Sequence, residues 1–410
     1  MRIGDFCKTN LYTYSEKEKW SEIHYLDTGN VTRGKITEIQ ILIPGIDTIP
    51  SRARRKVQVN DIIYSTVRPN QRHYGIIKSH NPNMLVSTGF VVITVDQQIA
   101  DPDFMYYFLT QDDVVETLEA IGEQSTSAYP SIKPVDIENL EIELPPLDEQ
   151  KKISSVLKTI DDKISTNQKI NDNLQLQAQL LFQSWYIDFD PFGGSMPKDW
   201  EIVSLDTIAD FQNGYAFKSS DLLNEPLSDT YRVFKQGHIN RGGGFNSNGT
   251  KSWYPKADTK TLTKYILHKG DILMAMTDMK DNVAILGNTA IMPVDDEYIV
   301  NQRVGLLRAN GKNGITYPFI YLLTNSKDFL TDLRSRANSG VQVNLSSAEI
   351  KASETMLAPK EINEKFAAIV TPMIETIMAN QLENERLSQL RDALLPRLMS
   401  GEIDVSNIQF

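Results

Sequence analysis

"ISTNQKINDNLQ", residues 164–175, places two asparagines where an amphipathic helix should carry leucines. Stepping alternately by four and three from Ile153 meets Leu157, Ile160, Ile164, Asn167, Asn171, Leu174, Ala178, Leu181 and Trp185. That is the a/d seam of a coiled coil, with a period of about 3.5 residues. Adding 213 to each position gives Phe366, Val370, Met373, Ile377, Asn380, Asn384, Leu387, Arg391, Leu394 and Leu398. The second seam has the same period, and its asparagines fall at the equivalent sites (380 − 167 = 213).

The match continues upstream of both helices. "LPPLDEQKKI" at 144–153 answers "LAPKEINEKF" at 357–366, and "YFLT" at 107–110 answers "YLLT" at 321–324. Further back the offset drifts to 208, "LDTGNVTRG" at 26–34 answering "FKQGHINRG" at 234–242, as small loop insertions produce. The chain is therefore read as an internal duplication. Each copy is a mixed, strand-rich domain followed by a long helix: residues 1–145, then a helical region over 146–187, a linker and second domain over 188–356, and a second helical region over 357–410.

Two matching seams from a duplicated unit are expected to pair about a pseudo-two-fold axis, and hence antiparallel. Asn167 then faces Asn384, and Asn171 faces Asn380. A slipped register would leave these amides unpaired, at about 1–3 kcal/mol per buried group. Asn167, Asn171, Asn380 and Asn384 are accordingly expected to set register and direction. The competing possibility is a surface helix whose asparagines face water. From Ile153 to Trp185 the helix would run about 50 Å at ~1.5 Å per residue, a rod that holds two domains apart.

Within the first domain, "VQVNDIIYSTV" and "LVSTGFVVITV" are rich in β-branched residues and predict strands. "DPDFMYYFLTQDDVVETLEAI" has helical spacing, with Tyr107, Leu109, Val114 and Leu118 as core candidates. In the second, "GDILMAMT" and "RVGLLRA" predict strands and "YPFIYLLTNSKDFLTDL" a helix. Strand and helix runs do not alternate, so the class is α+β and not a doubly wound sheet.

The 410 residues carry a net charge of −11, which argues against a protein that grips DNA alone, since duplex affinity comes mostly from Lys and Arg on phosphates. One cysteine, Cys7, fits a reducing cytoplasm, and neither a signal peptide nor a membrane-spanning run is expected. For catalysis the sequence offers little. There is no phosphate-binding G-x-x-x-x-G-K-[ST] loop, no G-x-G-x-x-G behind a strand, and no metal-ligand spacing among the five histidines, so catalytic, cofactor and metal residues are all expected to be absent. "RGGGFNSNG" at 241–249 predicts a flexible loop.

Binding signals are stronger. "RARRK" at 52–56 (Arg52, Arg54, Arg55, Lys56) and "RPNQRHYG" at 68–75 (Arg68, Asn70, Gln71, Arg72, His73, Tyr74) concentrate cations and amides inside an acidic chain. Arg33 adds to them. In the second domain the corresponding candidates are His238, Asn240 and Arg241 in "GHINRGG", Trp253 in "SWYP", Lys280 and Asn282 in "TDMKDN", and Gln302 and Arg303 in "NQR". These side-chain types read base edges and hold phosphates.

Over its whole length the chain resembles the specificity subunits of type I restriction–modification enzymes. The resemblance is carried by "DIIYSTVRPN", "LEIELPPLDEQKKISSVL" with the seamed helix behind it, "GDILMAMTDMK" and "LRDALLPRLMSGEI". It implies two target recognition domains alternating with two helical regions that pair as an antiparallel coiled coil. It further implies a non-catalytic subunit that binds a bipartite site in double-stranded DNA. That subunit would recruit two adenine methyltransferase subunits, which hold S-adenosylmethionine, and two restriction subunits. The first domain departs from the pattern in starting at Met1, without a counterpart to "MPKDWEIVSL" at 196–205. A coiled-coil scaffold without DNA readout is the alternative; the basic loops repeated in both domains speak against it.

Overall fold

The computed structural model describes residues 1–79, 81–125, 129–259, 261–279, 283–339, 342–406 and 408. It divides into two compact units, Met1–Lys163 with Leu387–Phe410, and Ile164–Arg386.

In the first unit, Cys7–Thr9, Phe90–Val95, Ile62–Ser65 and Tyr74–Ile76 lie side by side in an antiparallel sheet. A second sheet orders Gln40–Leu42, Ile23–Leu26, Met84–Ser87 and Ala53–Lys56, its central pair running parallel. "LVSTGFVVITV" thus supplies two strands, turned at Thr88 and Gly89. The expected helix likewise splits in two, α1 (Pro102–Thr110) and α2 (Asp112–Glu123), because Gln111 adopts an extended ψ of 145° between them. Asp101 caps α1, accepting the Phe104 N–H at 2.9 Å, and Pro102 stands at its first position, where no donor is needed. Tyr107, Leu109, Val114 and Leu118 are buried, as their spacing predicts. A short α3 (Pro134–Glu138) follows, and Ile153 and Leu157 at the start of α4 (Leu147–Tyr186) share the core with Leu398.

In the second unit the connectivity recurs, except that no strand matching Ala53–Lys56 is found among the described residues. Ala209–Asn213, Val304–Ala309, Ile272–Ala275 and Thr289–Ile291 form one antiparallel sheet. Trp253–Pro255, Thr230–Phe234 and Tyr298–Val300 form the other, again with one parallel pair. Here too the expected helix is two, α5 (Tyr317–Thr324) and α6 (Lys327–Ser335), with α7 (Ser347–Lys351) and α8 (Lys360–Met399) after them. Glu201–Ser204 pairs with Glu354–Leu357. The first unit fills that place with Arg2, bridged to Glu141, and with the Ile3 N–H on the Leu140 carbonyl at 3.0 Å.

One buried amide at the start of each long helix belongs to the duplication as well. Gln150 accepts the Asp101 N–H at 2.9 Å and donates to the Pro145 carbonyl at 2.9 Å. Asn363, 213 residues on (363 − 150 = 213), accepts the Tyr186 hydroxyl at 2.8 Å and donates to the carbonyls of Asn313 and Ala358, each at 2.9 Å. Each amide satisfies backbone groups that the turn into a helix leaves open.

Candidate nucleic-acid interface

Strand Ala53–Lys56 carries the basic run of the first unit. Local carboxylates answer two of its cations: Arg54 meets Glu16 at 2.9 Å, and Lys56 meets Glu18 at 2.5 Å while lying 5.2 Å above the Trp20 ring. Both acids sit on one 3-10 turn, capped by Ser15. Arg55 is half-buried, its Nε makes no hydrogen bond among the described residues, and burial pulls its pKa below the usual arginine range. Arg52 is exposed and has no ion pair among the described residues. The charge legible in "RARRK" is thus partly balanced in place. "SEKEK" at 15–19 is the signal that could have shown it.

The second basic run folds as a 3-10 turn, Pro69–Gln71, between two left-handed arginines, Arg68 (φ 49°) and Arg72 (φ 56°). Arg68 stacks on the Tyr129 ring at 4.5 Å. Arg72 turns inward to Asp112 at 2.6 Å, and His73 Nδ1 to the Val31 carbonyl at 2.7 Å. Asn70 and Gln71 are exposed. Tyr74 is a correction to the expected set. It is 3% exposed and stacked on Tyr64 with centroids 5.5 Å apart, so it faces the core and presents nothing to a duplex. Its strand pairs with Ile62–Ser65, which fixes that inward face. Arg33 lies beside the turn, at the tip of the hairpin that joins Val31–Thr32 to Lys35–Ile36, and is exposed.

In the second unit, Asn240, Arg241, Gln302 and Arg303 are exposed on loops, and Trp253 is half-buried on its strand. Lys280 and Asn282 lie outside the described residues. His238 is a second correction: it is fully buried, with Phe234 at 5.1 Å and Tyr298 at 6.0 Å between ring centroids. Its Nδ1 accepts the Lys235 N–H at 3.0 Å, while Nε2 has no partner among the described residues. Burial, with Arg232 adding to it, pushes its pKa down to about 4, so the ring is neutral. Arg232 itself escaped the sequence reading. Its guanidinium bonds the Tyr298 hydroxyl at 3.1 Å and the Ser247 carbonyl at 2.6 Å, tying the loop that contains His238 to the sheet.

The four asparagines lie within the second unit. Asn167 donates to Asn384 Oδ1 at 2.9 Å and to Glu383 at 2.6 Å, and Asn380 donates to Asn171 Oδ1 at 2.8 Å. Number rises along α4 as it falls along α8, so the pair is antiparallel. In the first unit, Arg391 at an a-type position bonds Asp161 at 2.8 Å, and Asp161 accepts the Tyr107 hydroxyl at 2.7 Å. A charged seam residue there links the helices to the globular part.

Among the described residues no group of His, Cys, Asp or Glu is arranged to hold a metal ion, and no helix is long and apolar enough to cross a membrane. Cys7 is buried, which pushes its thiol up to about 12 and away from nucleophilic chemistry.

Residues 1–176 and 197–390 match the family described as the type I restriction modification DNA specificity domain. The specificity subunit of the type I restriction enzyme HindI, from Haemophilus influenzae, is 25% identical over 455 aligned positions that cover 98% of both chains. That of MjaIX, from Methanocaldococcus jannaschii, is 26% identical, covering 75% of this chain and 70% of its own. Among solved structures, the S subunit of a type I restriction–modification system from M. genitalium aligns with a TM-score of 0.57 at 18% identity, covering 97% of this chain and 95% of the other.

Proposed function

We infer the function from one premise: the chain belongs to the type I restriction–modification DNA specificity family. It is a specificity subunit with two domains of that family. On our reading each domain binds one half of a bipartite site in double-stranded DNA, and the paired helices set the unread gap. The recognition domains are residues 1–145 and 196–356, with the linker 188–195 ahead of the second. The subunit catalyses nothing itself. Two adenine methyltransferase subunits carry S-adenosylmethionine, and two restriction subunits complete the assembly in the cytoplasm.

The observation that carries this reading is the recurrence of one strand connectivity, parallel pair included, in two units whose exposed loops differ in sequence. A repeated framework with unlike loops is what reading two unlike half-sites requires. The net charge of −11 fits a subunit whose partners supply much of the phosphate contact.

The test is a genome-wide map of N6-methyladenine in a methylation-free host that expresses this chain with its methyltransferase. One motif of two unlike halves around a fixed gap is the expected result. No motif, with a methyltransferase shown to be active alongside another specificity subunit, would leave a scaffold as the better account.

A further inference from the structure

The 3-10 turn Pro69–Gln71 holds a conformation that its own residues do not favour. Arg68 and Arg72 on either side both have positive φ, which L side chains rarely adopt and which persists only where the surroundings fix it. The surroundings do so here. The Asn70 N–H bonds Glu119 at 3.1 Å, the Arg68 N–H bonds the Pro130 carbonyl at 2.9 Å, and Asp112 holds the Arg72 guanidinium. Glu119 and Asp112 are thereby occupied by the turn itself. What this frame presents is two side-chain amides, Asn70 and Gln71, exposed and without a hydrogen bond among the described residues. Elsewhere in the unit the amides of Asn10 and Gln150 are used on the backbone.

The hairpin of Arg33 is fastened to the same turn. Its backbone donates from Arg33 to the Arg72 carbonyl and from Gly34 to the Tyr74 carbonyl, both at 2.8 Å. Arg33 and Lys35 are exposed there and have no ion pair among the described residues. Two free amides therefore sit beside two free cations on backbone that is held at both ends. An amide in this setting can pair bidentately with adenine N6 and N7, and the cations suit phosphates.

We propose that this turn is the base-reading element of the first unit, with Asn70 and Gln71 recognising an A·T pair in the major groove and Arg33 and Lys35 holding the adjacent phosphates. The proposal rests on the DNA-reading function above and names the residues and the base that function would use.

The experiment compares the methylation motif and DNA affinity of the assembled complex for wild type, Asn70→Ala/Gln71→Ala and Arg33→Ala/Lys35→Ala. The amide variant is expected to accept any base at one A·T position of one half-site, with discrimination there reduced about tenfold or more, and with the other half and the gap unchanged. The cation variant is expected to weaken binding to all sequences alike, to lower the salt slope by about two, and to keep the motif. Should the alanine variant fold poorly, Gln71→Glu serves, with preference at that position moving from adenine towards cytosine. An amide variant with the wild-type motif and discrimination overturns the proposal. So does a cation variant that loses the methyltransferase while keeping DNA affinity, which would make the patch a protein contact. If the wild type itself yields no bipartite motif, the functional reading has failed; if it does and the variants match it, only the assignment of this turn has.

Discussion

His238 is kept neutral in an apolar pocket, and that makes it a source of acid sensitivity. Its pKa falls from the usual 6.5 to about 4 on folding, through burial first and Arg232 second. The unfolded chain therefore takes up the proton more readily. The contribution of His238 to stability is intact above about pH 6.5 and is lost as pH falls towards 4, up to about 3 kcal/mol in all. Denaturant titrations of wild type and His238→Gln across that range should diverge, with the wild type losing more stability; parallel curves would remove His238 from the account. This residue also marks what sequence could not say. His238 and Asn240 stand two apart in one polar loop, yet one is buried and the other exposed. Tyr74 and Gln71 differ in the same way. Residue type picked out the polar stretches, but part of "RARRK" proved to be strand, and which side chain faces out depends on strands paired far away in sequence.

The period of the seam reads the helix pair well because a coiled coil is a one-dimensional problem: each a/d residue meets the partner helix. Asn167 is buried and bonded to Asn384 and Glu383, so removing it leaves their polar atoms without that partner. Asn167→Ala should lower stability by about 1–3 kcal/mol. A cycle with Asn384→Ala should show coupling of about 0.5 kcal/mol or more, since the two share a bond. Urea unfolding of the four proteins measures both, and additive losses would mean that the amides act separately. The seam pattern fails where the helices have a second neighbour. Phe182 and Tyr186 are buried off the seam, packed with Phe319 and Phe366 at centroid distances between 4.9 and 6.2 Å. Ile374 and Met378 are buried in the same core. These residues answer to a globular domain, which a heptad count does not include.

At the scale of the molecule, the duplication makes the helix pair a ruler on the proposed reading, and the asparagine bonds say where the ruler can be lengthened. Asn171 faces Asn380, so residues that follow Asn171 lie opposite residues that precede Asn380. A heptad inserted after Asn171 must therefore be matched by one inserted before Asn380. The matched pair keeps every seam residue and both amide pairs in register. Seven added residues lengthen the rod by about 10 Å, equal to about three base pairs at ~3.4 Å each. The duplex also turns by about a tenth of a revolution per base pair, so a domain displaced by the full three would meet its half-site rotated away. The gap in the methylation motif should accordingly grow by between one and about three base pairs, with both half-sites unchanged. A heptad in only one helix leaves seven residues without partners and should abolish methylation or return the original gap. If the matched insertion methylates at the original gap, the helices hold the chain together without measuring DNA, and spacing must be set by the partner subunits.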